Sequence, residues 1–101
     1  MNILRVRARI RFLSAEEGGR TSPVRGDYRP NHNFGDAEDR DMDIGRIVFP
    51  EGEALQPGES MERNIEFFDR PGLSEILTPG RQWRIQEGPS LVGVGTVLEV
   101  L

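Results

Sequence analysis

The chain has no cysteine and no lysine among its 101 residues, and only one histidine. Without cysteine there is no disulfide framework, no thiolate metal site and no cysteine nucleophile. Without lysine there is no P-loop lysine, no Schiff-base chemistry and no catalytic ammonium group. A single histidine, His32, cannot furnish a multi-histidine metal site within one chain. No apolar run is long enough to span a membrane as a helix. The first thirteen residues lack the continuous apolar core of a signal peptide, and the chain reads as cytoplasmic. A net charge of −4 argues against a general polyanion binder, although a local patch can override a net value.

What is present points to a small all-β domain. The length supports one domain, residues 1–101, with one modest core. Charged residues make up 30% and hydrophobic ones 36%, short of the balance that signals disorder. Twelve glycines and seven prolines punctuate the chain at turn-like intervals, as in a domain of many short strands.

The clearest periodicity runs from Asn2 to Leu13. Leu4, Val6, Ala8, Ile10 and Phe12 alternate with Arg5, Arg7, Arg9 and Arg11. Successive side chains of a strand point to opposite faces, so this predicts a half-buried strand with an outer row of arginines. Further strands are expected at Asp27 to Phe34, with Pro30 at an edge or bulge, and at Ile44 to Phe49. Three more follow at Met61 to Phe68, Arg81 to Gln86 and Leu91 to Leu101, with a helical turn at Leu73 to Leu77. Six regularly spaced strands predict a small closed barrel or a sandwich. Between Gly35 and Asp43 lies a loop carrying Asp36, Glu38, Asp39, Asp41 and Asp43. Its spacing lacks the central glycine and terminal glutamate of an EF-hand, so it reads as a solvated acidic loop. His32 reads as a surface or partly packed strand residue, and Trp83 as a core or rim residue.

All 13 basic residues are arginine. Arg5, Arg7, Arg9 and Arg11 recur about every 6.5–7 Å along one strand face, a spacing near that of successive phosphates. They form either a stripe for an anionic partner or a solvated face paired with cross-strand acids such as Glu62, Glu66 or Glu99. No aromatic residue is interleaved with them, which argues against base stacking on single-stranded RNA.

Three segments carry a family resemblance. They are Glu16-Glu17-Gly18-Gly19-Arg20-Thr21-Ser22-Pro23, Asp27-Tyr28-Arg29-Pro30-Asn31, and Trp83-Arg84-Ile85-Gln86-Glu87-Gly88 running into Val92-Gly93-Val94-Gly95. Phe49-Pro50-Glu51-Gly52 and Pro57-Gly58-Glu59 add a Pro-Glu-Gly and a Pro-Gly pair. Together, from about Val6 to Leu101, they resemble the C-terminal β-barrel domain of translation elongation factor Tu, here expected as a stand-alone homologue. The resemblance implies a six-stranded antiparallel closed barrel. It implies that Arg20 contacts the T-stem backbone of tRNA, with Asn31, Glu87 and Gly88 on the same face and Arg29 beside them. It also implies protein-docking surfaces, since the family's domain contacts the GTPase domain and the exchange factor Ts.

Three departures stand out. The acidic loop replaces a roughly neutral, threonine-rich one. Gly88-Pro89-Ser90 replaces a Gly-Gly-Arg turn. The arginine row is not a family feature. No phosphate loop, magnesium motif or base-recognition motif is present, so GTP binding is not expected. No cofactor, metal site or membrane association is expected either. The expected function is non-enzymatic docking of a protein partner, linked to translation. The alternative is a module that binds the backbone of a tRNA-like stem. Both draw on Arg20, Arg29, Asn31, Glu87 and Gly88 and on the row Arg5, Arg7, Arg9 and Arg11.

Overall fold

The computed structural model describes residues 2–101. The first strand, β1 (Ile3–Phe12), follows the expected alternation. Val6, Ala8, Ile10 and Phe12 are fully buried, while Arg5, Arg9 and Arg11 face solvent. Transfer of such apolar side chains out of water is the main favourable term in folding. The expected second strand is split into β3 (Asp27–Tyr28) and β4 (Asn31–Asn33). Both pieces pair with β5 (Asp43–Val48) in one unbroken register, Tyr28 opposite Ile47 and Asn31 opposite Ile44. The break falls at Arg29-Pro30, where proline has no N–H to give the ladder. After β5 come β7 (Ser60–Phe68), β8 (Gln82–Glu87) and β9 (Ser90–Val100), with the short helix α1 (Leu73–Ile76) between β7 and β8. The four-residue pair β2 (Val24–Arg25) and β6 (Ala54–Leu55) has no counterpart in the expected strands. These segments are too short to show a period, but Val24 and Leu55 are buried and cover part of the core.

Six strands close into an antiparallel barrel. The order runs β5-β4-β8-β9-β1-β7, and β7 pairs back onto β5 through Gly45–Phe67, Arg46–Glu66 and Ile47–Ile65. Closure leaves these strands without a free edge to template aggregation. Two register shifts in β9, opposite Arg7/Ala8 on β1 and opposite Ile85/Gln86 on β8, mark bulges that bend the strand around the barrel. Gly95 also shapes the wall, because a side chain there would collide with the Trp83 ring.

The interior is aromatic at one level. Phe34 stacks on Trp83 at 5.3 Å, and Phe67 lies edge-on to both Trp83 and His32. His32 is fully buried, not a surface residue as expected from sequence. Two hydrogen bonds make this tolerable. The Trp83 indole N–H donates to His32 Nδ1 at 3.0 Å, and His32 Nε2 lies 3.0 Å from the Gly45 carbonyl oxygen. The first bond makes Nδ1 an acceptor, so Nε2 carries the proton and donates to Gly45. Burial pushes the His32 pKa down to about 4, against smaller upward pulls from the Gly45 carbonyl and Asp43.

Asp43 also differs from its expected place in the acidic loop. It opens β5, is buried, and takes a forked ion pair from Arg70 at 2.7 and 2.9 Å. A bidentate guanidinium–carboxylate pair satisfies the buried charge and ties the loop before α1 to the barrel. The remaining loop carboxylates stay exposed. Among the described residues no three acidic or histidine side chains converge as metal ligands, and no helix is long and apolar enough to cross a membrane.

Candidate binding surfaces

The candidate residues fall into two groups with different surroundings. The first gathers at the turn of the β8–β9 hairpin. Gly88 sits at φ +58°, a left-handed conformation that favours glycine, and so lets the hairpin turn directly after Glu87. The loop after β1 brings Arg20 to this turn. Its glycines act differently from one another. Gly18 has a positive φ of 90°, whereas Gly19 does not. Gly19 instead lies so close to the Leu13 carbonyl that a Cβ would sit 2.5 Å from that oxygen.

Arg20 forms an ion pair with Glu87, and the Tyr28 hydroxyl donates to the same carboxylate at 2.6 Å. The Arg20 guanidinium also lies 5.9 Å from the Tyr28 ring centre and donates to the backbone and side chain of Ser22. Asn31 accepts the Gly88 N–H on its side-chain oxygen at 3.0 Å. Gln86 extends the network, donating to the Gly88 carbonyl and accepting from Asn33. Burial raises the Tyr28 pKa well above the ordinary tyrosine value, and the hydrogen bond to the Glu87 carboxylate raises it further. Arg20, Tyr28, Asn31, Glu87 and Gly88 thus form one polar knot that fastens a loop to a hairpin. Arg29 does not join it. Its guanidinium turns to Asp27 at 3.1 Å.

The second group is the arginine row. Cross-strand register sets Arg5 opposite Glu66, Arg7 opposite Asn64 and Arg9 opposite Glu62 on β7. The expected pairing with Glu62 and Glu66 is therefore present, but it is thin. Glu66 is shared between Arg5 at 2.8 Å and Arg46 at 2.7 Å, and these two guanidiniums hold its carboxyl below the usual range. Glu62 reaches Arg7 and Arg9 only at 3.9 Å each. Glu99 is the register partner of Arg7 on β9 but makes no ion pair among the described residues. Arg11 turns to Glu17 at 3.3 Å. The Glu17 carboxyl is held below its usual range by the Ser14 backbone N–H first, then by Arg11.

A third feature could not be located from the sequence. Among the described residues the exposed large hydrophobics are Ile3, Ile44, Phe68, Val100 and Leu101. They lie at the ends of four strands that are consecutive around the barrel. Ile3 is directly opposite Phe68, and the Gly45–Phe67 pairing sets Ile44 beside Phe68. Ile3, Ile44 and Phe68 line one depression whose rim is Arg29, Arg46 and Glu66. Val100 and Leu101 line an adjoining crevice with Ile3, Leu4 and Arg5. The strand alternation flags each residue separately, but only barrel closure makes them neighbours. No protein-family model matches the chain.

Proposed function

We propose that this chain is a non-enzymatic docking module that binds a protein partner through the apolar end of its barrel, and that it is a relative of the C-terminal domain of elongation factor Tu. The observation that carries the docking reading is the clustering of Ile3, Ile44 and Phe68 into one exposed depression. Large apolar side chains gathered at one place on a surface, rather than scattered singly, support an interaction site. Its rim of Arg29, Arg46 and Glu66 fits the usual plan of an interface, with an apolar centre and a polar border. Arg5 and Arg29, two of the residues singled out in the sequence, border this surface.

RNA binding at Arg20, Asn31 and Glu87 draws less support. Arg20 spends its charge on Glu87, and Asn31 spends its side-chain oxygen on Gly88. The test is to replace Phe68 with a photo-crosslinking amino acid in cells that make the protein. We expect one dominant protein adduct, insensitive to RNase and lost when Ile44→Ser is added. Adducts to RNA alone, or a protein adduct unaffected by Ile44→Ser, would remove the proposal.

A further inference from the structure

In the wall formed by β8, β9 and β1, strands β9 and β1 lie across the barrel from β5 and β4, the strands joined by the acidic loop, whereas β8 pairs directly with β4. Its outward residues follow from alternation. On β1 they are Arg5, Arg7, Arg9 and Arg11, on β8 they include Arg84, and on β9 the half-buried Val94, Thr96 and Leu98. Register then sets an aliphatic strip between two lines of polar and cationic groups. Val94 is flanked by Arg84 on one side and Arg11 on the other, and Thr96 by Gln82 and Arg9. Arg84 hydrogen-bonds the Gln86 amide at 3.2 Å and meets no carboxylate among the described residues.

Charge on this wall is unbalanced. Arg7 and Arg9 share one distant carboxylate, Arg5 competes with Arg46 for another, and Arg84 has none. Of the outward row, Arg5 and Arg9 are 57% and 60% exposed. Guanidiniums held in register by a rigid sheet, with their counter-charge incomplete, attract an anion at little ordering cost.

We infer that this wall is a second docking surface, which meets the apolar end only at Arg5, and that it takes an extended acidic segment of a partner protein. An extended peptide repeats every two residues at about 6.5–7 Å, the same repeat as the arginines beneath it. Carboxylates at alternate positions therefore face successive guanidiniums without bending either chain. The intervening strip of Val94, Thr96 and Leu98 suits aliphatic side chains and offers no aromatic platform for nucleobases. Glu62, 49% exposed beside Arg7 and Arg9, and Glu99 interrupt the positive surface. A continuous phosphate backbone meets them in repulsion, whereas a peptide can place a neutral residue there.

The test uses a fluorescent ten-residue peptide in which glutamate alternates with threonine and valine. Its controls are a peptide of the same composition with contiguous glutamates, and a short RNA duplex. Anisotropy titrations are run at low and at physiological salt. We expect the alternating peptide to bind several-fold more tightly than the contiguous one, with affinity falling as salt rises. Arg9→Glu combined with Arg11→Glu should weaken it by about tenfold or more, in line with reversal of charges at an interface. Phe68→Ser should leave it unchanged. These arginines are exposed, and a urea midpoint verifies that the double variant folds. Arg84→Glu alone, expected to weaken binding about threefold, keeps the test open if it does not. Equal binding of the two peptides, tighter binding of the RNA, or loss of binding in Phe68→Ser overturns the inference. Because the apolar end is tested by its own crosslink, either surface can fail while the other stands.

Discussion

The knot at the β8–β9 turn and the wall along β1 are both built from arginine and carboxylate, yet they differ in how completely those groups are used. In the knot, one carboxylate serves Arg20 and the Tyr28 hydroxyl, and Asn31 and Gln86 bind both polar groups of Gly88. On the wall, guanidiniums outnumber the carboxylates within reach. A polar group already satisfied inside the protein has little left for a partner, and its worth lies in holding the fold. A group left half satisfied on a rigid surface contributes little to stability and is available for binding. Arginines that look equivalent in the sequence thus separate into structural and available ones.

The largest effect is expected at a polar group more enclosed than either region, His32 in the barrel interior. His32→Leu strips the Trp83 indole and the Gly45 carbonyl of their buried partner. Each buried group left unsatisfied costs about 1–3 kcal/mol, so a loss of about 3 kcal/mol is expected, read as a fall in the urea midpoint at unchanged slope.

His32 also predicts a pH dependence of similar size. Its folded pKa is pushed down to about 4 from an ordinary value of 6.5. Between those values the unfolded chain takes up a proton that the folded chain refuses. The contribution is therefore complete above pH 6.5 and is lost as the pH falls from 6.5 towards about 4. The full loss approaches about 3 kcal/mol, and urea midpoints measured between neutral pH and the lower end of this window should track it. The same series on His32→Leu should be nearly flat until the carboxylates begin to titrate. A wild-type protein equally stable across the window would break the assignment of a neutral, buried imidazole.

Next in size is Glu87→Gln, which keeps the shape of the knot and removes its charge. About 1 kcal/mol of stability should be lost, as for a weakened charge-assisted network. Tyr28 is the chain's only tyrosine, so alkaline titration of its absorbance is unambiguous. Its pKa should fall from the wild-type position but stay above the ordinary value, since burial is the larger cause of the shift. The smallest effect belongs to the wall. Arg9→Ala should change stability by no more than about 0.5 kcal/mol, because its ion pair is long and exposed. A loss as large as that of Glu87→Gln would erase the distinction between the two regions.

Much of the fold is legible in the sequence. The alternation of Leu4 to Phe12 with the arginines identified β1 and both of its faces, whereas the single strand expected from Asp27 to Phe34, with Pro30 at an edge or bulge, is two strands, β3 and β4. The candidate site was legible only in part. Arg20, Asn31, Glu87 and Gly88 do come together, but as partners of one another, while Arg29 leaves them for Asp27 and the rim of the apolar end. Tyr28 was visible in its motif, yet nothing local indicated that its hydroxyl meets a carboxylate 59 residues away. His32 was misplaced because a lone histidine in a polar stretch gives no sign of a buried indole donor on another strand.

Local covalent geometry accounts for what the sequence determined alone. Side chains alternate along an extended backbone, and glycine and proline restrict where that backbone turns, so strands, faces and breaks can be read residue by residue. The partners of each polar group, the sharing of Glu66 and Glu62, and the convergence of Ile3, Ile44 and Phe68 were decided only by tertiary structure. These depend on the register between strands distant in the chain and on the closing of β7 onto β5. A one-residue slip in either pairing would send each of those side chains to a different neighbour or to the other face.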